Sequence, residues 1–241
     1  MTPQFETDDG RVVTAVTAAE MQAVDRVAVD EVGLALLQMM EHAGRNLAEV
    51  AREAAVGGRI VVLAGDGGNG GGGICAARHL ANGGAEVTVV LDRDADDLTG
   101  AAARQHRILG ATDATVITAA SSEPYIRNAD VVVDSLVGYG LSGALRGAAA
   151  MLVEAAEGAS HVVSLDVPSG IDATTGEAPG TAVEPDTTLT LALPKTGLAE
   201  ATVGDLLLAD IGIPRGAYDS LDIDYADPFG GARRVWLRIR S

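Results

Sequence analysis

Residues 64 to 73 read Ala-Gly-Asp-Gly-Gly-Asn-Gly-Gly-Gly-Gly, and few segments restrict a fold so tightly. The apolar run Ile60-Val61-Val62-Leu63 precedes them, and Ile74-Cys75-Ala76-Ala77-Arg78-His79-Leu80 follows. The order is strand, glycine turn, helix. Backbone without Cβ atoms can crowd a ligand, and the N–H groups opening the next helix point at any bound anion. The turn holds Gly65-x-Gly67-x-x-Gly70, the spacing of a dinucleotide fingerprint. Glycine then continues to Gly73, so the helix is placed at 73–83.

The remaining pattern alternates strands with helices. Met21, Val24, Val27 and Ala28 recur at helix spacing after Thr17, whose Glu20 has the capping-box offset. Gly33 breaks that run, and a second helix covers Leu34 to Ala54. Strands are expected at 59–64, 86–91, 114–118, 130–134, 161–166, 187–193 and 205–210, with helices near 99–110 and 146–157. Residues 1 to 13 read as a loose leader or short strand. Continuous Val/Leu/Ile strands separated by helices imply a mostly parallel sheet covered on both faces. The expectation is one α/β domain over 1–241, with its core at 14–214 and a C-terminal extension at 215–241.

Composition sets outer limits. Of 241 residues 47% are hydrophobic but only 3% aromatic, so the core must be aliphatic. One cysteine excludes an internal disulfide and suits a reducing compartment. Without a long apolar run or a signal-like leader, a cytoplasmic location is expected. The net charge of −17 opposes binding to nucleic acid and to anionic membranes. It also suits a high-salt cytoplasm that screens carboxylate repulsion. Lys195 is the lone lysine, and Arg233, Arg234, Arg238 and Arg240 are expected to pair with the acidic body.

Ligands of open parallel sheets bind beyond the carboxyl ends of the strands. Three such ends carry polar residues: Asp66 and Asn69; Asp134 with the loop 135–143; and Asp166-Val167-Pro168-Ser169-Gly170. If these strands are neighbours, Asn69, Asp134, Asp166 and Ser169 share a rim. Their oxygens suit a hard cation, and two carboxylates there can divide into acid and base. Capping turns explains Asp134 and Asp166 as readily, while Asp172 reads as a turn residue. His79 and Cys75 read as packing residues, and His42, His106 and His161 lack metal-ligand spacing.

Several ordered motifs resemble the NAD(P)H-hydrate epimerase family, the YjeF N-terminal domain, over about residues 14 to 214. They are Thr17-Ala18-Ala19-Glu20-Met21 with Asp25, Met40-Glu41-His42-Ala43-Gly44-Arg45, the glycine turn with Ala76 to Leu80, Asp134 to Gly140, Asp166 to Gly170, Leu193 to Leu198 and Ala209 to Pro214. The resemblance implies a three-layer αβα Rossmann-like sandwich, expected as a homodimer. It implies epimerisation of hydrated NADH and NADPH, feeding a separate dehydratase for which the tail after residue 214 has no room. Potassium is implied on Asn69, Asp134 and Ser169. Substrate contacts are implied at Gly68, Asn69, Gly70, Gly71, Gly72, Gly138, Tyr139, Gly140, Leu141, Ser142, Gly143, Ala144 and Asp166. Epimerising a carbinolamine carbon needs a proton shuttle, for which Asp166 is the candidate, with Asp134 holding the cation.

The family's Gly-x-Gly-Asn-Asn-Gly-Gly-Asp-Gly turn has glycine here at Gly68 and Gly72. That departure leaves open a non-catalytic module binding a nucleotide or a protein. An NAD-dependent oxidoreductase, with Asp92 as ribose ligand, is a third reading; otherwise Asp92 is a solvated strand-end residue.

Overall fold

In the computed structural model, which describes residues 4–55 and 58–240, one ten-stranded sheet forms the middle layer. Its strands are β1 (Gln4–Thr7), β2 (Val12–Thr14), β3 (Arg59–Ala64), β4 (Glu86–Leu91), β5 (Thr115–Thr118), β6 (Val131–Ser135), β7 (Val162–Leu165), β8 (Thr187–Leu191), β9 (Asp205–Ala209) and β10 (Arg234–Ile239). The spatial order is β2-β1-β10-β9-β8-β7-β6-β3-β4-β5. β3 through β9 run parallel, while β1, β2 and β10 are antiparallel.

The helices are α1 (Ala18–Arg26), α2 (Leu36–Ala54), α3 (Gly68–Asn82), α4 (Gly100–Leu109), α5 (Glu123–Arg127), α6 (Gly147–Ala156) and α7 (Arg215–Asp219). Alternation along β3 supplies both outer layers. Ile60, Val62 and Ala64 pack with α2, α3 and α4, whereas Val61 and Leu63 pack with α6. The expected three-layer αβα architecture with a mostly parallel sheet is the one observed. Thr17 caps α1 as its spacing predicts: the Glu20 N–H donates to Thr17 Oγ1, and the Thr17 N–H donates to Glu20 Oε2 at 2.7 Å. A π turn, Val27–Glu31, continues from α1.

Three placements differ from expectation. α3 begins at Gly68, five residues before the predicted start, so the glycines lie inside the helix. A Cβ on Gly70 would overlap the Gly65 carbonyl, and one on Gly73 would overlap Ser135. Glycine therefore lets α3 lie directly on β3 and β6. At the C-terminus, β10 sits within the sheet between β9 and β1. Arg234 reaches Glu49 at 2.8 Å and Arg238 reaches Asp8 at 2.8 Å, so the basic tail pairs with acidic residues while it forms a strand. Of the two readings of the N-terminal segment the strand holds, and it is doubled: residues 4–14 form a two-stranded hairpin, while residues 1–3 lie outside the described residues.

Candidate functional site

The strand order reverses between β3 and β6, since β4 and β5 extend to one side and β7 to β9 to the other. Such a switch point leaves a crevice beyond the carboxyl ends of the strands. A cavity of about 500 Å³ lies there, within the range of small-ligand sites. Gly68, Asn69, Gly72, Gly138, Tyr139, Gly140 and Asp166 line it, together with Met39 and Met40 from α2, and Lys195. Of the other expected contacts, Gly70 and Gly71 are buried in α3, while Leu141, Ser142, Gly143 and Ala144 lie outside the lining.

Asp166 is the most constrained group in the wall. It follows β7 at φ 69°, in the left-handed region that non-glycine residues rarely occupy, and only 3% of it is exposed. Lys195, itself 1% exposed, donates its Nζ to Asp166 Oδ1 and to the Leu191 carbonyl, the latter at 2.9 Å. The Leu191 N–H donates to the same Oδ1 at 3.2 Å. The other oxygen, Oδ2, lies on the side of Gly138, where a Cβ would come within 3.3 Å of it. One carboxylate oxygen is thus anchored, and the other borders the cavity.

A second pair lies beside the first in the same lining. The Tyr139 hydroxyl donates to Asp25 Oδ2, and Lys195 Nζ stands 5.6 Å from the Tyr139 ring centroid. Burial raises the Asp25 carboxyl above its ordinary value, opposed by the Tyr139 hydrogen bond and the Lys195 charge. Burial likewise raises the Tyr139 phenol. Sequence reasoning did not name Lys195 or Asp25 as site residues. The available signal for Lys195 was its being the one lysine in an arginine-rich set of cations.

Asp134 is the last residue but one of β6 and is fully buried, outside the cavity lining. Ser164 Oγ and the Ser169 N–H each donate to Asp134 Oδ2 at 2.8 Å, and Ser169 Oγ donates to Oδ1 at 2.5 Å. The Val137 N–H donates to Ser169 Oγ at 2.9 Å, so the β6 and β7 loops are fastened together. Burial raises the Asp134 carboxyl; these hydrogen bonds oppose it, with no cationic side chain among the influences on it. Asn69 Oδ1 would lie 3.0 Å from a Cβ on Gly138, and Asn69 Nδ2 is buried with no hydrogen-bond partner among the described residues. A buried carboxylate compensated by hydrogen bonds alone, beside the Ser169 hydroxyl and the Val137 carbonyl, has the donor chemistry of a hard-cation site.

Asp66 shapes the turn, accepting from the Thr99 N–H at 2.5 Å and Thr99 Oγ1 at 2.8 Å. Asp92 is not a solvated strand end: its side chain is 11% exposed, lines the cavity mouth and pairs with Arg93 at 2.8 Å. Asp172 does hold a turn, accepting from the Thr174 and Thr175 N–H groups. Cys75 is buried, and burial pushes its thiol up to about 12, which leaves it a poor nucleophile. His79, read as a packing residue, faces Glu41 across the α2–α3 seam at 2.8 Å. That partner lies 38 residues away in sequence.

Gly68 and Gly72 differ in their surroundings. Nothing stands within 4 Å of a Cβ at Gly68, so a side chain fits there. A Cβ at Gly72 would approach Leu165 Cδ2 to 2.8 Å, so Leu165 occupies part of the space an aspartate needs.

Known proteins resemble this chain over most of its length. The family described as YjeF-related protein N-terminus matches residues 36–197. An NAD(P)H-hydrate epimerase of Dehalogenimonas lykanthroporepellens is 46% identical over 235 residues, 95% of either chain. Another, from Rhodopirellula baltica, is 35% identical over 82% of this chain and 84% of its own. A bifunctional NAD(P)H-hydrate repair enzyme Nnr of Hyperthermus butylicus is 40% identical over 83% of this chain, which corresponds to 38% of that protein. The crystal structure of yeast ynu0 shares the fold, with a TM-score of 0.81 over 93% of this chain and all of its own at 21% identity. The chain described here belongs to the YjeF-related N-terminal family, that of the NAD(P)H-hydrate epimerases.

Proposed function

We propose that this chain epimerises the R and S forms of hydrated NADH and NADPH, with Asp166 as the proton-transferring group. The observation that carries the reading is the buried Asp166–Lys195 pair at the switch-point cavity, with one carboxylate oxygen held and the other beside the lining. Inverting a carbinolamine carbon needs loss and return of its hydroxyl, or ring opening at that carbon. In either route a proton is delivered to a leaving group and taken back, and positive charge develops at the nicotinamide. Asp166 Oδ2 performs the transfer, while Lys195 and the Leu191 N–H fix the carboxylate's position. Met39, Met40 and Leu165 exclude water beside it, and the N-terminal turn of α3 offers N–H groups to a phosphate.

Asn69, Asp134 and Ser169 would hold a potassium ion. When bound it would neutralise the buried Asp134 carboxylate and so steady the loops that follow β6 and β7. A separate NAD(P)H-hydrate dehydratase, acting on the S form, would consume the product. A homodimer and a cytoplasmic setting belong to the same reading. Among the described residues no helix is long and apolar enough to cross a membrane.

Purified chain is incubated with R-NADHX and an S-specific dehydratase, with potassium or with a large organic cation in its place. Conversion well above the spontaneous rate, stimulated by potassium, is expected. A folded protein that binds NADHX without converting it would instead support the non-catalytic module, a reading favoured by the space Leu165 takes beside Gly72.

A further inference from the structure

On the seam between α2 and α3, outside the switch-point cavity, Glu41, Cys75 and His79 bring three different donor atoms together. A carboxylate oxygen, the thiol sulfur and an imidazole nitrogen all lie within 4.8 Å of one another. Glu41 Oε1 is 2.8 Å from His79 Nε2, and Glu41 Oε2 is 3.5 Å from Cys75 Sγ. Ligand atoms around a tetrahedral zinc lie on the order of 3 to 4 Å apart, given bond lengths near 2.0 to 2.3 Å. Cys75 and His79 are one helical turn apart on α3, an i, i+4 pair on one face. The third ligand comes from another helix.

We propose that Glu41, Cys75 and His79 form a three-ligand site for a borderline-soft divalent cation of the zinc type, with its remaining position open to water. The place for the ion is already taken by positive charge. Arg78 Nη2 stands 3.2 Å from Cys75 Sγ and 3.4 Å from His79 Nε2, and it bonds Glu41 Oε2 as well. One cationic nitrogen therefore meets all three donors. Metal entry displaces Arg78 toward solvent and releases the Cys75 thiol proton, leaving a thiolate on the ion. Thiolate, imidazole and carboxylate together favour zinc, cobalt or copper over potassium or magnesium.

The seat is rigid on its inner side. Helices α2 and α3 approach so closely that a Cβ on Gly44 would lie 2.6 Å from Cys75 Sγ. On the outer side Glu41 is 49% exposed and His79 22%, which gives the ion a path from water. α2 also carries Met39 and Met40, and α3 begins with Gly68 and Asn69, all four in the cavity wall. A bound ion would fasten two elements of that wall, whatever reaction the cavity performs.

Cobalt(II) is the probe, added anaerobically to the whole chain and followed by absorption. Cys75 is the single cysteine, so a thiolate-to-cobalt band can arise from no other residue. Wild type is expected to show the band at one equivalent, with zinc competing it away. Arg78→Gln should bind at least about tenfold more tightly, because the competing cation is gone, and His79→Gln at least about tenfold more weakly. Cys75→Ser, close in size, should keep its thermal transition and lose the band. Absence of the band in both wild type and Arg78→Gln would overturn the site. Equal cobalt affinity in wild type and His79→Gln would do the same.

Discussion

Asp166 pays attention to its surroundings through one oxygen only, and the consequences can be measured. Asp166→Asn keeps the side-chain size and removes the transferable proton. Epimerisation should fall by about a hundredfold to ten-thousandfold, the usual worth of general acid–base catalysis, with the melting transition retained. Lys195→Met leaves the 3%-exposed Asp166 carboxylate facing no cation. Breaking such a buried pair should cost about 3 kcal/mol or more in chemical denaturation. The Tyr139–Asp25 pair has a pH signature. The folded pKa of Asp25 is raised, so its contribution is fully present below its unfolded value near 3.8 and is lost as pH rises through the folded value. Tyr139→Phe removes a hydrogen bond that opposes the rise. The variant should therefore lose more stability than wild type as pH rises above about 4, read as the difference between their melting temperatures. At this scale the strand-end acids were legible in the sequence, because polar residues interrupting apolar strands stand out. Lys195 and Asp25 were not. They reach the site from segments remote in sequence, and only the sheet order brings them there.

The start of α3 shows how an element's boundary can hide. Glycine has the poorest intrinsic helix preference after proline, so local propensity places the helix after Gly73. Tertiary packing overrides it, since β3, β6 and the Gly65 carbonyl leave no room for Cβ atoms on the inner face. Gly73→Ala should destabilise by about 2 kcal/mol or more, because Ser135 at the end of β6 must move to admit the methyl. Gly68→Ala, where nothing lies within 4 Å, should stay within about 0.5 kcal/mol of wild type in urea unfolding. The parallel strands and their helices were readable from continuous apolar runs. β10 was not, because Arg234-Val235-Trp236-Leu237-Arg238-Ile239 puts charge on a strand whose neighbours carry Glu and Asp. The pairing of its basic residues with the acidic body was expected, and Glu49, Glu53 and Asp8 supply it; that the segment pairs while forming a strand was not.

Across the whole molecule, the fold places chemistry at the point where the sheet changes direction. Both loops fastened at Asp134 and Ser169 leave from strands beside that point, and the glycine turn leaves from its other side. The same topology carries a net charge of −17, with many of its ion pairs on exposed side chains. Screening should relieve more repulsion than it removes attraction. The melting temperature is expected to rise from dilute buffer to about molar potassium chloride, and a fall would mean that the exposed pairs outweigh the net charge. The family and its three layers were readable from ordered motifs at compatible spacings. Whether glycine at 68 and 72 permits the reaction depends on how Asp166, Lys195 and Leu165 share one cavity, which no linear motif encodes.

The most direct measurement is the single-turnover rate of R-to-S conversion by wild type, Asp166→Asn and Gly72→Asp at saturating NADHX. Wild type should convert far faster than the spontaneous reaction and Asp166→Asn should not, while Gly72→Asp should bring no large gain. Equal rates for wild type and Asp166→Asn, or activity appearing only in Gly72→Asp, would contradict the assignment of the reaction to Asp166 in this chain.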